Sequence, residues 1–213
     1  YCGIDLHANN SVIAVLDEQD KVLFEKRLPN ELRRILAALQ PYESQLAGCV
    51  VESTYNWYWL VDGLMDAGFR FHLAHTGAVP QYAGIKYSND ESDARHLAHL
   101  LRLGILPEGH IQPKAQRALR DLLRRRLLLV RQKTLHHLSL QSLIARYTGQ
   151  RLSAKEIKRL DPQALAERLE EPIVLGGQIT CLARRWLEGA IALLEHEIHK
   201  QLKPSQEYQL MTT

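Results

Sequence analysis

The chain opens Tyr1-Cys2-Gly3-Ile4-Asp5-Leu6-His7-Ala8-Asn9-Asn10-Ser11-Val12-Ile13-Ala14-Val15-Leu16, and the way this stretch pairs with the residues up to Leu28 decides the fold. Residues 1–5 read as a first strand. Ser11 to Leu16, rich in Val and Ile, reads as a second. Asp17-Glu18-Gln19-Asp20 is a polar turn. From Lys21 to Leu28, Val22, Phe24, Lys26 and Leu28 alternate with Leu23, Glu25 and Arg27, as in a half-exposed strand. Connections this short predict an antiparallel meander of three strands.

Working outward, Asn30 is placed to cap a helix carrying Leu32, Ile35, Leu36 and Leu39 on one stripe, which stops before Pro41. The apolar run Gly48 to Glu52 fits a buried parallel strand. Thr54 is placed to cap the next helix, which Gly68 ends. Phe69, Phe71 and Leu73 alternate in a fifth strand, and Asn89 is placed to cap a helix from Asp90 to Leu103, closed by Gly104. The order predicts an α/β domain over residues 1–106, built on a mixed five-stranded sheet. An antiparallel start followed by strand–helix repeats is the pattern of RNase H-like folds. Actin-like ATPases begin the same way, so topology alone leaves function open.

Past Pro107 the character changes, and residues 107–213 read as an all-α domain. Pro113 starts a long helix reaching Tyr147-Thr148-Gly149, with Leu119, Leu123, Leu127, Val130 and Leu138 in one apolar sector. Short helices fit Ser153 to Leu160 and Pro162 to Leu169, the second capped by Asp161. Gly176-Gly177 reads as a break before a last helix, Ile179 to Leu202. There Leu187, Ile191, Leu194 and Ile198 have near-heptad spacing, suited to a partner helix or to packing within the chain.

Composition narrows the class. Hydrophobic residues make up 46% of the 213, enough for globular cores. No apolar run approaches the roughly 20 residues that span a bilayer. The cysteines Cys2, Cys49 and Cys181 show no CxxC spacing; Cys2 and Cys49 fall in buried strands, as small hydrophobes of a cytoplasmic protein do. The chain does not begin with Met and ends at Leu210-Met211-Thr212-Thr213, and it reads as part of a longer protein. Net charge is only +3, but Lys114, Arg117, Arg120, Arg124, Arg125, Arg126, Arg131 and Lys133 stand against the single acid Asp121 between 114 and 133. Such clustering is the footprint of nucleic-acid backbone binding.

Four acids stand at element ends: Asp5, Glu52, Asp90 and Asp93. Asp5 and Glu52 close apolar strands that should be neighbours. Asp90 and Asp93, three apart, share a helix face continued by Ala94, Leu97, Leu100 and Leu101, and so should look toward the sheet. Each has a simpler explanation alone, as a turn residue, a cap or a helix N-terminal charge. Held together, four carboxylates repel and raise one another's pKa values, and a divalent cation is what makes the cluster inexpensive. Mg²⁺ suits such oxygen ligands, with Mn²⁺ as the alternative, and two ions can clamp a phosphodiester. No phosphate-cradling glycine run is present.

Other candidates carry less. Lys86 stands four residues before Asp90, in the loop Gly84-Ile85-Lys86-Tyr87, available to a phosphate or simply solvated. Tyr55, Trp57, Tyr58 and Trp59 read as packing rather than as a base-stacking platform. His96 and His99 share an exposed helix face, and no set of histidines has zinc-ligand order.

Taken in order, Gly3-Ile4-Asp5, Val51-Glu52-Ser53-Thr54, Asn89-Asp90-Glu91-Ser92-Asp93-Ala94, Leu97-Ala98 and Leu100-Leu101-Arg102-Leu103-Gly104 resemble the DEDD transposases of bacterial insertion sequences, over nearly the whole chain. The Tyr55 to Trp59 run and Arg120-Asp121-Leu122-Leu123 are similar to one subgroup. The resemblance implies a RuvC-like domain with Asp5, Glu52, Asp90 and Asp93 as Mg²⁺ ligands, Asp5 bridging two ions. It implies a cytoplasmic bacterial recombinase, directed by a structured guide RNA that pairs with donor and target DNA. A basic helical region would bind nucleic acid and another subunit of a homo-oligomer; from the charge clustering, Lys114, Arg117, Arg120, Arg124 and Arg131 are its expected backbone contacts, with Lys86 near the acids as a further one. The family's serine nucleophile lies in a C-terminal domain that this chain is expected to lack. Ala8 stands where the family often has a basic residue. Alternatives to keep beside this reading are a junction-cleaving nuclease and an RNA-binding scaffold without catalysis.

Overall fold

Strands β1 (Cys2–Leu6), β2 (Asn10–Leu16) and β3 (Val22–Pro29) form the expected antiparallel meander. The computed structural model describes residues 1–75 and 90–203, with the backbone only for Asp90 and Glu91. Helix α1 (Leu32–Leu39) leads through a 3-10 turn, Gln40–Gln45, to β4 (Cys49–Glu52). Then follow α2 (Tyr58–Asp66), β5 (Phe71–Ala74), α3 (Asp90–Arg102) and a short β6 (Glu108–Gly109). Sheet order is β3-β2-β1-β4-β5-β6, with β1, β4 and β5 parallel and the outer pairs antiparallel.

The mixed sheet therefore has six strands, one more than the sequence predicted. Two residues carry no periodicity, so β6 is invisible until Glu108 and Gly109 meet Ala74 and Leu73. It lies in the first compact unit, which runs to Ile111, with the second beginning at Gln112.

Parity along the strands sets the layers. Cys2, Ile4, Leu6, Ile13, Val15, Cys49, Val51 and Leu73 point to one face and form a core with Ile35, Leu39, Leu60 and Leu64 of α1 and α2. The alternate residues face α3, where Val12 and Ala14 meet Ala94, and Val50 and Ala74 meet Leu97. β2 is buried from Ser11 to Leu16 because both faces are covered. Cys2 and Cys49 are buried free thiols; their mutual hydrogen bond and burial push the Cys2 thiol well up.

Two expected caps take other work. The α1 N-cap is Glu31, without a side-chain bond, and Asn30 instead accepts from Ser11 Oγ and donates to the His7 carbonyl. α2 begins after Trp57, and Thr54 Oγ1 donates to Asn56 Oδ1. Gly68 and Gly104 end their helices at positive φ, as predicted. Asn89 lies outside the described residues.

In the second unit, α4 (Lys114–Thr148) runs close to its predicted span and ends on Gly149 at φ 70°. α5 (Ala154–Arg159) carries a full capping box between Ser153 and Glu156. The segment expected as a helix from Pro162 is a 3-10 turn, Gln163–Glu167. α6 (Ile173–Leu202) runs unbroken through Gly176-Gly177, against expectation. The reason is packing: a Cβ on Gly177 would stand 3.2–3.3 Å from Leu165, Leu143 and Leu169, so the glycine admits close neighbours instead of ending the helix. Leu187, Ile191 and Ile198 are buried, which assigns that seam to packing within the unit. The predicted apolar sector of α4 is open to solvent at Leu123, Leu127 and Leu138. Among the described residues, no helix is long and apolar enough to cross a membrane.

Candidate active site

Asp5 and Glu52 sit on the α3 face because each is an even step from a residue known to point there. Asp5 is two past Gly3, and Glu52 two past Val50. The last paired residues of β1 and β4 are Ile4 and Val51, so the two acids follow side by side on adjacent parallel strands. Neighbouring strands are about 4.8 Å apart, which sets the scale of their separation.

α3 reaches this corner through Gly3. A Cβ there would fall 1.9 Å from the Ala94 carbonyl oxygen and 2.7 Å from the Ala98 nitrogen, so only glycine lets the helix backbone lie on the strand. Asp90 is one turn before Ala94, about 6 Å along the helix. Asp5 is two residues beyond Gly3, about 7 Å along the strand. The far end of α3 meets the β2–β3 turn, where Arg102 forks onto Asp20 at 2.6 and 2.7 Å. The N-terminal turn of α3 therefore lies at the Asp5 end of the sheet.

The electrostatics agree with this placement. Half-buried Glu52 has its carboxyl pushed up, first by burial and then by the charges of Asp5 and Asp93. Those two acids are thus within electrical reach of Glu52. Asp93 itself is exposed, contrary to the expectation that it faces the sheet, because the buried stripe begins at Ala94. The side chain of Asp90 lies outside what is described, as does all of Lys86. Among the described residues, no three His, Cys, Asp or Glu side chains are close enough to hold an ion as they stand. His96, half-buried on α3, is pushed down by burial and His99, against the pull of Asp93. His99 is not simply solvated, since its Nδ1 lies 2.9 Å from Asp20 Oδ2.

The sequence passed over the groups around the acids. His7 Nε2 lies 3.1 Å from Asp5 Oδ2. Asn30 and Asn56 both donate to the His7 carbonyl at 2.9 Å. None of these had a local signal, whereas Gly3 had one, a glycine inside a strand. The aromatic run divides: Trp57 is buried edge-on to half-buried Tyr58, whereas Tyr55 is 83% exposed.

On α4, Lys114, Arg124 and Arg131 are exposed and Arg120 half-exposed. Arg117 departs from its expected role. It is 7% exposed and its Nε donates to the Gln112 carbonyl at 2.8 Å, so it secures the start of α4 rather than facing a phosphate. Arg126 is paired with Glu195 of α6.

A six-stranded mixed sheet with carboxylates at its strand ends, followed by a basic helical region, is an architecture suited to phosphodiester chemistry. Comparison with family models matches residues 2–148 to the IS110-type DEDD transposases, described as Transposase. The chain belongs to this transposase family. Comparison with curated proteins finds no match. Family membership implies DNA as partner and transposition or recombination as the general activity.

Proposed function

We propose that the chain carries the metal-dependent RuvC-like, RNase H-type half of an insertion-sequence transposase, with Asp5, Glu52, Asp90 and Asp93 as ligands for Mg²⁺ or Mn²⁺. The observation that carries this is that Asp5 and Glu52 directly follow the last paired residues of adjacent parallel strands, with the Glu52 carboxyl raised by burial and then by the charges of Asp5 and Asp93. The donor set fits a hard divalent cation: oxygen ligands, crowded charge and an open corner for water or phosphate. A bound cation would supply Lewis-acid activation and charge neutralisation at a scissile phosphate.

The chain's own residues do the rest. Gly3 brings α3 down so that Asp90 and Asp93 approach Asp5, and β1 and β4 fix the Asp5–Glu52 separation. On the helical unit, Lys114, Arg120, Arg124 and Arg131 hold nucleic-acid backbone, which for this family includes a structured guide RNA pairing with DNA. Self-association is supported by α6. Leu175, Ile179, Leu182, Trp186 and Leu193 follow heptad steps along a face that stays exposed, distinct from the seam buried against α4.

The test is Mg²⁺-dependent stabilisation of the whole chain, with Asp5→Asn as control. A melting midpoint that rises with Mg²⁺ in the native chain, and not in the variant, supports the reading. Equal shifts in both refute it. Metal-dependent cutting of branched DNA without guide RNA would favour the junction-nuclease alternative.

A further inference from the structure

We propose that His7 is a positioning residue for Asp5, held in place by a two-amide clamp from Asn30 and Asn56. The inference rests on the metal reading above and deepens it. His7 follows the last residue of β1, where a strand end would ordinarily be loose. Here its peptide is fixed on both sides. The His7 N–H donates to the Asn10 carbonyl at 2.9 Å, and the His7 carbonyl accepts from Asn30 Nδ2 and Asn56 Nδ2, each at 2.9 Å.

Each amide is itself steered. Ser11 Oγ donates to Asn30 Oδ1 at 2.7 Å, and Thr54 Oγ1 donates to Asn56 Oδ1 at 3.0 Å. The His7 carbonyl can only accept, so it fixes which end of each amide is the donor, and the hydroxyls donate to the amide oxygens left over. Asn30 follows β3, and Asn56 lies in the connection that follows Glu52. Three strand ends thus converge on a single peptide group, and two of them carry Asp5 and Glu52.

The clamp sets the imidazole. His7 Nε2 lies 3.1 Å from Asp5 Oδ2, with the two side chains 36% and 15% exposed. His7 Nε2 is shut off from solvent and stands against one Asp5 oxygen at ion-pair distance without the alignment of a hydrogen bond, so the ring limits where that carboxylate can swing and with it the directions in which Asp5 offers lone pairs. Groups that orient metal-binding carboxylates typically contribute roughly 10–100-fold to metal affinity. Asn56 adds a link between the two acidic strands: the loop that leaves Glu52 is tied to the peptide two residues past Asp5.

The experiment measures Mn²⁺ binding to the full chain from the electron paramagnetic resonance signal of the free ion, with unfolding midpoints taken in parallel. His7→Leu should weaken binding roughly 10–100-fold. His7→Gln, whose amide nitrogen reaches the same carboxylate oxygen, should stay within about threefold of the native chain. Asn56→Ala, which leaves the imidazole but removes one arm of the clamp, should weaken binding by up to about tenfold and serves also if His7→Leu does not fold. Native affinity in His7→Leu or Asn56→Ala, or equal losses in His7→Gln and His7→Leu, overturns the positioning role while leaving the metal site standing. A native chain that binds no Mn²⁺, or binds it as Asp5→Asn does, removes the metal reading itself and the inference with it.

Discussion

Replacing Gly3 with Ala tests the packing that builds the site. The added methyl would lie 1.9 Å from the Ala94 carbonyl oxygen and 3.0 Å from its carbon, both backbone atoms of a regular helix. Neither can rotate away as a side chain would. Ordinary contact begins at 3.4 Å, so α3 must retreat by about 1.5 Å or the strand must bend. A gap of even 0.5–1 Å forfeits a quarter to a half of a contact's dispersion energy. Ala94, Leu97, Ala98 and Leu100, all buried, would lose that packing together. Overpacked cores cost about 1–3 kcal/mol, and an obstacle made of helix backbone belongs at the upper end. For a unit of this size, about 3 kcal/mol lowers the midpoint by roughly 10 °C.

Emission from buried Trp57 reports the first unit during thermal or urea unfolding, since Trp186 is 69% exposed and changes little. Gly189→Ala is the control. Nothing lies within 4 Å of its added Cβ on exposed α6, and it should stabilise the second unit by up to about 1 kcal/mol. Native stability in Gly3→Ala would mean that α3 does not rest on β1 as described. It would also remove the packing on which the proposed approach of Asp90 and Asp93 to the strand ends rests.

Glu52→Gln should stabilise the metal-free chain at pH 7. A glutamate whose folded pKa is raised contributes stability below its unfolded value of 4.5 and loses it as pH rises through the folded one, so its ionised form is a cost at neutrality. The same variant should lose Mg²⁺-induced stabilisation, and a metal-free midpoint below the native one refutes the repulsion. Asp20 has the opposite sign. Its hydrogen bonds from Arg102 and then His99 lower its pKa, so that stability is present above 3.8 and fades as pH falls through the folded value. Arg102→Met should flatten that acid limb in urea titrations, and an unchanged slope between pH 4 and 2 counts against it. Arg124→Ala and Arg131→Ala should each reduce the salt dependence of nucleic-acid binding by about one unit of slope, without changing sequence preference. Arg117→Ala should instead destabilise α4, visible in unfolding of the second unit.

Legibility in the sequence followed the kind of interaction involved. The Val and Ile richness of Val12 to Val15 and the helix stripe in Leu32 to Leu39 are local, and those elements appeared where the residues placed them. β6 is only Glu108–Gly109, defined by its partner and not by its own pattern. Gly176-Gly177 has the composition of a break, but Leu165 and Leu169 need the room that Gly177 leaves. The acids at β1 and β4 were legible because parity and strand order are backbone properties. The histidine and asparagine clamp was not, because Asn30 and His7 are 23 residues apart and Asn56 and His7 are 49. Each of those residues, seen alone, looks like an ordinary turn.

Apolar packing, opposed by charge repulsion, holds the acidic corner together. Asp5, Glu52 and Asp93 repel across the strand ends and tend to push the N-terminal turn of α3 away. The forks of Arg95 on Glu25 and Arg102 on Asp20 hold α3 from the side and the opposite end. Those pairs are part-exposed, and solvent screens such bridges so that they add little strength. Burying Leu97 and Leu100 alone supplies roughly 3–6 kcal/mol, so apolar packing outweighs the forks. The forks then set direction more than strength. They keep α3 aligned with β1 while the Gly3 contact sets its height above the sheet. With both fixed, the charge left over at the corner is what the proposed cation would neutralise, and apolar packing keeps the acids together without it.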